Sequence, residues 1–488
     1  MPELVFKGKE YVYNHHLTVP YRPLVADAEK SIGAADLAGN LVIHGDNLHA
    51  LKSLLPRYAG QVDLVFIDPP YNTGNEGWCY SDNVNSPIMR EWRDSNPVIA
   101  DDLLRHDKWL CMMWPRLGLL RELLSERGSL WMTLDDNEVH RARAMLDEIF
   151  GEAHCVGQIA WQKRTSRENR AVLSPSFDHV LGYSREPVTQ WKACRNLLDP
   201  SDEGYSNPDD DPRGSWKSVP FSAQGFRKNQ QYTIVSPSGR QLSPPKDRSW
   251  GATEAEFIRL RDVEKLVYWP KDGDGLPRIK QFVDKAKGLV PDTLWMASDV
   301  GDTESSKKLL MEMFADQDGF GMHAPKPVEL IQRIVQIGAE PESLVLDSFA
   351  GSGTTAHAVL KANAKDGGTR RFILVEGEDY ADRLTAERVR RAIGGYAWSG
   401  TQREELLAEK LTWTRVQRAD ELLARIEAIK AREGFGDAPD LAAQAAPPER
   451  RFDRITVKVD DGVLRVEGEK RVSERTEGLG GEFTYCTL

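Results

Sequence analysis

The chain has 488 residues, 40% of them apolar, with a net charge of −11 and an isoelectric point near 5.6. A mean hydropathy of −0.50, with no apolar run approaching the roughly eighteen residues a bilayer demands, excludes a helical membrane span. The acid excess argues against indiscriminate nucleic-acid binding but not against a local basic track, and the length predicts two or three domains around a large core. The first ten residues lack the apolar stretch of a signal peptide. Cys79, Cys111, Cys155, Cys194 and Cys486 are scattered without a Cys-x-x-Cys pair, so neither a disulfide framework nor a zinc site is expected, and a cytoplasmic location is.

In chain order, residues 1–40 read as an extended N-terminal arm and 41–185 as one half of an open α/β sheet. Leu41-Val42-Ile43-His44-Gly45-Asp46 is a strand ending in an acid, and Leu48, Leu51, Leu54 and Leu55 mark one face of the helix after it. The apolar run 63–67 is a second buried strand, and it ends in Asp68-Pro69-Pro70-Tyr71-Asn72-Thr73-Gly74. Two prolines fix φ near about −65° and remove two backbone donors, leaving the carbonyls beside Asp68 free to accept. A carboxylate, free carbonyls and an aromatic face suit an exocyclic amino group on a flat ring. The ring would stack on Tyr71 while its amine donates to Asp68 and the Pro69 carbonyl. The carboxyl end of a strand is where open α/β sheets bind ligands.

The loop 72–96 carries Trp78, Tyr80 and Trp92, which either wedge a duplex and wall a base pocket or pack on the domain. Asp135 and Glu138 have capping-box spacing for the helix after the strand 130–134, a structural role. Four cations crowd 162–170, among them Lys163, Arg164 and Arg167, and further clusters include Arg213 and the pair Arg227-Lys228. Such clusters are commonly solvated loops, but beside a cup for an extruded base phosphate contact is the better reading. Residues 186–320 turn rich in Pro, Gly and Ser with short strand-like pieces, a loop-rich module inserted between the two halves.

Residues 321–395 form the other half. The strand Leu344-Val345-Leu346-Asp347 runs into Ser348-Phe349-Ala350-Gly351-Ser352-Gly353-Thr354-Thr355 and then a helix. Glycines at 351 and 353 let the backbone turn tightly and approach a ligand, although Gly-x-Gly alone is equally a plain strand-to-helix turn. The next strand ends at Glu376, where dinucleotide-type folds place a ribose-binding acid, and the pair points to a nucleoside cofactor. The segment 396–437 reads as a C-terminal helix, its apolar positions from Leu406 to Ile429 forming a stripe that packs on the body or on a second subunit. The tail 438–488 reads as an Ala/Pro linker (438–448) and a small β module with a hairpin at Asp461-Gly462.

On these motifs the chain resembles the amino-group DNA methyltransferases, and among them the adenine-N6 modification subunits of type III restriction systems, over residues 40–395. Asp68 to Tyr71 matches the catalytic DPPY, Phe349-Ala350-Gly351-Ser352-Gly353 the methionine-binding FxGxG, and His44-Gly45-Asp46 the strand end whose acid contacts the cofactor adenine. Pro325-Lys326-Pro327 is similar to the segment closing the cofactor pocket, with His323 and Ala324 where a threonine is common. The catalytic motif precedes the glycine loop. In the family that order marks the beta-type circular permutation of a doubly wound, mostly parallel, seven-stranded-type sheet, which makes the insert 186–320 a target-recognition domain.

The resemblance implies S-adenosyl-L-methionine as cofactor, held by Asp46, Asp68, Lys326, Asp347, Phe349, Ala350, Gly351, Gly353, Thr354 and Glu376, with catalysis by Asp68, Pro69, Pro70 and Tyr71 and no metal. It further implies double-stranded DNA as substrate, a restriction or other defence-system subunit as partner, and a homodimer. N4-cytosine methylation uses the same amino-group logic, but Asp rather than Ser at position 68 leans toward adenine. RNA or a protein glutamine amide would also offer a planar amine, and the large insert favours duplex DNA over both. The alternative from another class is a catalytically dead DNA-binding subunit, against which Asp68, Tyr71, Gly351 and Gly353 speak. No helicase or nuclease motif appears, so cleavage would need another chain.

Overall fold

The computed structural model describes residues 3–73, 104–168, 171–200, 204–271, 273–282, 288–317, 324–435, 450–460 and 462–488. Trp78, Tyr80, Trp92, His323, Asp461 and the linker 438–448 lie outside them. The chain divides into two compact units, one comprising Met1–Asn196 with Asp292–Leu488 and the other Leu197–Pro291.

The first unit is built on a ten-stranded sheet. Its strands run, in spatial order, Val25–Ile32, Phe483–Thr487, Leu41–His44, Arg371–Glu376, Leu344–Asp347, Val62–Ile67, Leu124–Leu134, Phe177–Ser184, Cys155–Gln162 and Leu294–Trp295. Every neighbouring pair from Phe483–Thr487 to Leu124–Leu134 is parallel. Parallel strands are covered on both faces, which explains their unbroken apolar sequences. Alternation then sorts the side chains: Leu41, Ile43, Val65, Ile67, Leu344 and Leu346 join the core beneath the helices Asn47–Tyr58 and Arg105–Leu123. Leu64 points the other way, where a Cβ on Gly338 of the helix Val328–Gly338 would stand 2.6 Å from its Cδ1.

Val345 pairs with Leu64 and Leu346 with Val65, so strands from distant parts of the chain lie side by side and end on one edge. From that junction the chain winds outward in both directions, the arrangement in which open sheets form a ligand crevice.

The termini depart from expectation. Of the expected arm 1–40, the described residues 3–40 are tied down: Val12 is buried, and the strand Val25–Ile32 pairs antiparallel with Phe483–Thr487. That last strand is itself a member of the central sheet rather than part of a separate module. The segment 396–437 does not begin as a helix. Tyr396–Lys410 is a strand in an antiparallel three-stranded sheet with Val463–Thr476 and Arg454–Asp460. Its helix-prone Glu and Leu residues are overridden by cross-strand pairing, and a register shift between Glu405 and Leu407 accommodates the adjacent Leu406-Leu407 that imitated a helical stripe. Only Ala419–Arg432 keeps the expected helix, and it sets Leu422 and Ile426 against Leu464 and Val466.

The second unit is narrower than 186–320, because Val188–Trp191 and Leu294–Trp295 belong to the first, the latter pairing with Cys155–Gln162. It holds small antiparallel sheets around Phe221, Ile234, Leu242, Trp250 and Phe257.

Candidate active site

Asp68 leaves the strand Val62–Ile67 at the edge where the parallel strands end. One carboxylate oxygen accepts from Thr133 Oγ1 at 2.6 Å, and the other pairs with Lys326 Nζ at 2.5 Å. The same ammonium stands 4.9 Å from the centre of the Tyr71 ring. The Tyr71 hydroxyl is buried beside Asp68 and Thr133 without a well-formed hydrogen bond. Burial, then the Asp68 charge, hold this phenol well above its ordinary value, so it stays protonated.

The turn is fastened from behind. Trp109 Nε1 donates to the Pro70 carbonyl at 2.7 Å. Asn72 adopts φ 60°, a left-handed conformation that Asn tolerates, and its amide donates to Glu138 Oε1 at 2.5 Å and to the Arg105 carbonyl at 3.2 Å. Glu138 is fully buried and also holds His106 Nδ1. This corrects the capping-box expectation: the helix Val139–Phe150 has no side-chain cap from Glu138, and Asp135 instead accepts from the Asn137 backbone. Helix-start spacing and a tertiary anchor look alike in sequence.

The glycine loop faces Asp68 across the crevice. Gly351 and Gly353 adopt φ 52° and 79°, and a Cβ at Gly353 would meet the Thr385 carbonyl at 2.8 Å. Glu376 accepts from the Gly351 N–H at 2.7 Å and the Glu378 N–H at 3.0 Å, while Asp347 accepts from the Phe349 N–H at 3.0 Å and Thr355 Oγ1 at 2.5 Å. Burial outweighs these bonds and raises both carboxyls to about 7.

A cavity of about 440 Å³ joins the two motifs, running from Asp68, Pro69, Pro70 and Tyr71 past Lys326 to Asp347, the stretch 348–352, Thr354 and Glu376. Two expected residues do not line it. Gly353 serves the turn alone, and Asp46 caps the helix Asn47–Tyr58 through the His49 N–H and lies 3.5 Å from Arg116. Asn47 lines the cavity instead. A second cavity, about 260 Å³, lies beside the first and shares Tyr71, Lys326, Ala324 and Pro325 with it; Trp161, Lys163, Arg164, Asp178 and Thr303 form the rest of its wall.

The cations distribute unevenly. Lys163 is paired with Asp178 at 2.6 Å, and Arg164 with Glu168 at 2.9 Å, while Arg167 is exposed. In the second unit Arg213 is spent internally, bonded to Asp211 and to the carbonyls of Glu264 and Lys265, whereas Arg227 and Lys228 are exposed. Sequence reasoning missed Thr133, Trp109, Asn47, the anchoring role of Glu138 and the Lys326 contact to Asp68, all joined to the site through tertiary structure. Among the described residues no group of His, Cys, Asp and Glu could hold a metal ion, and no helix is long and apolar enough to cross a membrane.

The DNA methylase family profile matches residues 62–387, which takes in both motifs and the segment between them. The chain belongs to the DNA methylase family. It is similar to the StyLTI Mod subunit of Salmonella typhimurium, a type III restriction-modification enzyme, with 32% identity over 76% of this chain and 58% of the relative. The EcoPI Mod subunit of Escherichia phage P1 is 28% identical over 70% of this chain and likewise 58% of its own. This chain therefore spans little more than half the length of these relatives. Among solved structures, M1.HpyAVI in complex with SAM covers 71% of this chain and 99% of its own, at 15% identity and a TM-score of 0.33, so the fold rests on the strand order above.

Proposed function

We propose that this chain transfers a methyl group from S-adenosyl-L-methionine to N6 of an adenine everted from duplex DNA, as the modification subunit of a restriction-modification system. The observation that carries the reading is that Asp68 and Tyr71 both line the cavity reaching the glycine loop, while Tyr71 and Lys326 also line a second cavity beside it. The residues of the first cavity suit the cofactor. Glu376 offers acceptors to a ribose, the glycine turn allows close backbone approach, and the buried, unpartnered Ser348 hydroxyl is available to a polar tail. When bound, the cofactor supplies an electrophilic methyl group on a sulfonium.

The protein's part is position and electrostatics. The base enters beside Tyr71 and stacks on its ring, after an extrusion that costs a few kcal/mol. Lys326 must first release Asp68, since its ammonium holds the oxygen that the amine needs. Thr133 keeps the other oxygen oriented, and Trp109 with Glu138 holds the turn still. With its N–H groups donated to Asp68 and the Pro69 carbonyl, N6 turns its lone pair toward the methyl carbon. The proton lost from the product passes to water, so Asp68 need not keep it.

Asp at position 68 favours adenine over N4 of cytosine. Phosphate contacts fall to Lys163, Arg164, Arg167, Arg227 and Lys228, with Arg213 supporting the fold of its unit. On this reading the partners are duplex DNA, a restriction subunit and a second copy of the chain. The test is methylation of duplex DNA by the purified protein, followed by digestion and mass spectrometry. N6-methyladenine is expected. N4-methylcytosine would move the specificity, and neither product, with no cofactor binding by calorimetry, would leave a non-catalytic DNA-binding subunit.

A further inference from the structure

Beneath the glycine loop lies an arginine that no motif names. Arg388, on the helix Glu387–Gly394, is completely buried, and among the described residues no carboxylate comes within ion-pair distance of it. Its Nε and Nη2 have no partner, while Nη1 donates to Ser352 Oγ at 2.8 Å and Thr354 Oγ1 at 2.7 Å. The acidic groups whose fields reach it are the Tyr396 phenol and then the Glu329 carboxylate, which is half exposed and paired with Lys361. Buried charges are ordinarily paired, so this one lacks its counter-ion. Nearby His357 is also buried with Nδ1 unpartnered, and burial and the guanidinium both favour its neutral form.

The hydroxyls show where the counter-ion belongs. A guanidinium can only donate, so Ser352 and Thr354 both accept from it and keep their own hydrogens to give. They lie 3.2 Å apart, so at most one hydrogen is used between them and at least one remains to donate elsewhere. Both residues line the large cavity, as does the orphaned Ser348 hydroxyl, and Thr354 opens the helix Thr354–Asp366, whose N-terminus favours an anion.

We infer that Arg388 is a positioning residue whose buried charge, relayed through Ser352 and Thr354, binds the carboxylate at the amino-acid end of the cofactor. The inference rests on the S-adenosylmethionine reading and adds to it the residue that selects a carboxylated ligand. Direct contact is made by the hydroxyls, and the guanidinium fixes their direction.

Calorimetry on the full chain with two probes, S-adenosylmethionine and its decarboxylated analogue, separates the possibilities. The wild type should prefer the carboxylated ligand by roughly tenfold or more, and R388M should reduce that preference to about twofold while the analogue binds as before. The double variant S352A/T354V should do the same with Arg388 in place, and it decides the matter if R388M does not fold. Parallel loss of both ligands, or an unchanged preference in both variants, would overturn the assignment. If the wild type binds neither probe, the cofactor reading itself falls, an outcome distinct from either.

Discussion

Lys326 Nζ lies 2.5 Å from Asp68 Oδ2, so the acceptor proposed for the substrate amine already carries an amine from the protein. The same nitrogen lies over the Tyr71 ring, which makes Lys326 an occupant of both contacts that the base must take over. Removing the ammonium removes a competitor. Lys326→Met should therefore lower the KM for unmethylated DNA severalfold in a tritiated-methyl assay. A raised KM together with a collapsed kcat would mean that the lysine organises the site rather than guarding it.

Asp68 itself is irreplaceable on this mechanism, because the carboxylate that lines the second cavity with Tyr71, Asp178, is paired with Lys163 and does not line the cavity that reaches the glycine loop. Asp68→Ala should abolish methyl transfer while cofactor affinity changes little. Tyr71→Ala should lose base stacking worth roughly 1–3 kcal/mol, and Tyr71→Phe much less, since the hydroxyl makes no well-formed bond. Turnover in Asp68→Ala near the wild-type rate, or equal losses in the two tyrosine variants, would remove the roles assigned to these side chains.

Asp347 gives the ligand-free protein a pH dependence whose sign can be worked out. Burial raises its carboxyl to about 7, above the unfolded value of about 3.9, so the native state binds the proton more tightly. That contribution is fully present below about pH 4 and is lost as pH rises through about 7. Asp347→Asn keeps the shape, and the Thr355 hydroxyl can turn to accept from the new amide. The stability of Asp347→Asn relative to wild type should therefore rise between pH 5 and 8, by on the order of a few kcal/mol. Thermal melts without cofactor measure this, and a difference that stays flat with pH would contradict it.

The buried Glu138 anchors the proline turn through Asn72 and, on the same carboxylate oxygen, holds His106. Glu138→Ala would remove one acceptor from the buried Asn72 amide, at a cost of about 1–3 kcal/mol, while the part-exposed His106 ring can turn to water. We expect a lowered melting temperature and a drop in kcat larger than any change in cofactor affinity. An unaltered kcat in the folded variant would show that the turn needs no anchor.

The sequence by itself determined the strands ending at Asp68, Asp347 and Glu376, the proline turn and the glycine loop. Each is local: apolar runs with φ-restricting or φ-permitting residues directly behind them specify a shape whatever surrounds it. Tertiary structure alone decided that strands from distant parts of the chain become neighbours, and that Lys326 reaches Asp68 and Arg388 reaches Ser352. It also decided that Glu138 is an anchor rather than a cap, and that Tyr396–Lys410 is a strand despite its helix-prone residues. Such contacts depend on closing long loops, whose entropy is offset only by burial that no short window of sequence contains.

The whole proposal depends on Asp68 and the glycine loop facing one crevice, and the parallel register of Val345 with Leu64 places them there. Chain order cannot show this, since residues between the two motifs could have carried the second strand to either edge of the sheet. Only the packing of Leu344–Asp347 between Arg371–Glu376 and Val62–Ile67 selects one.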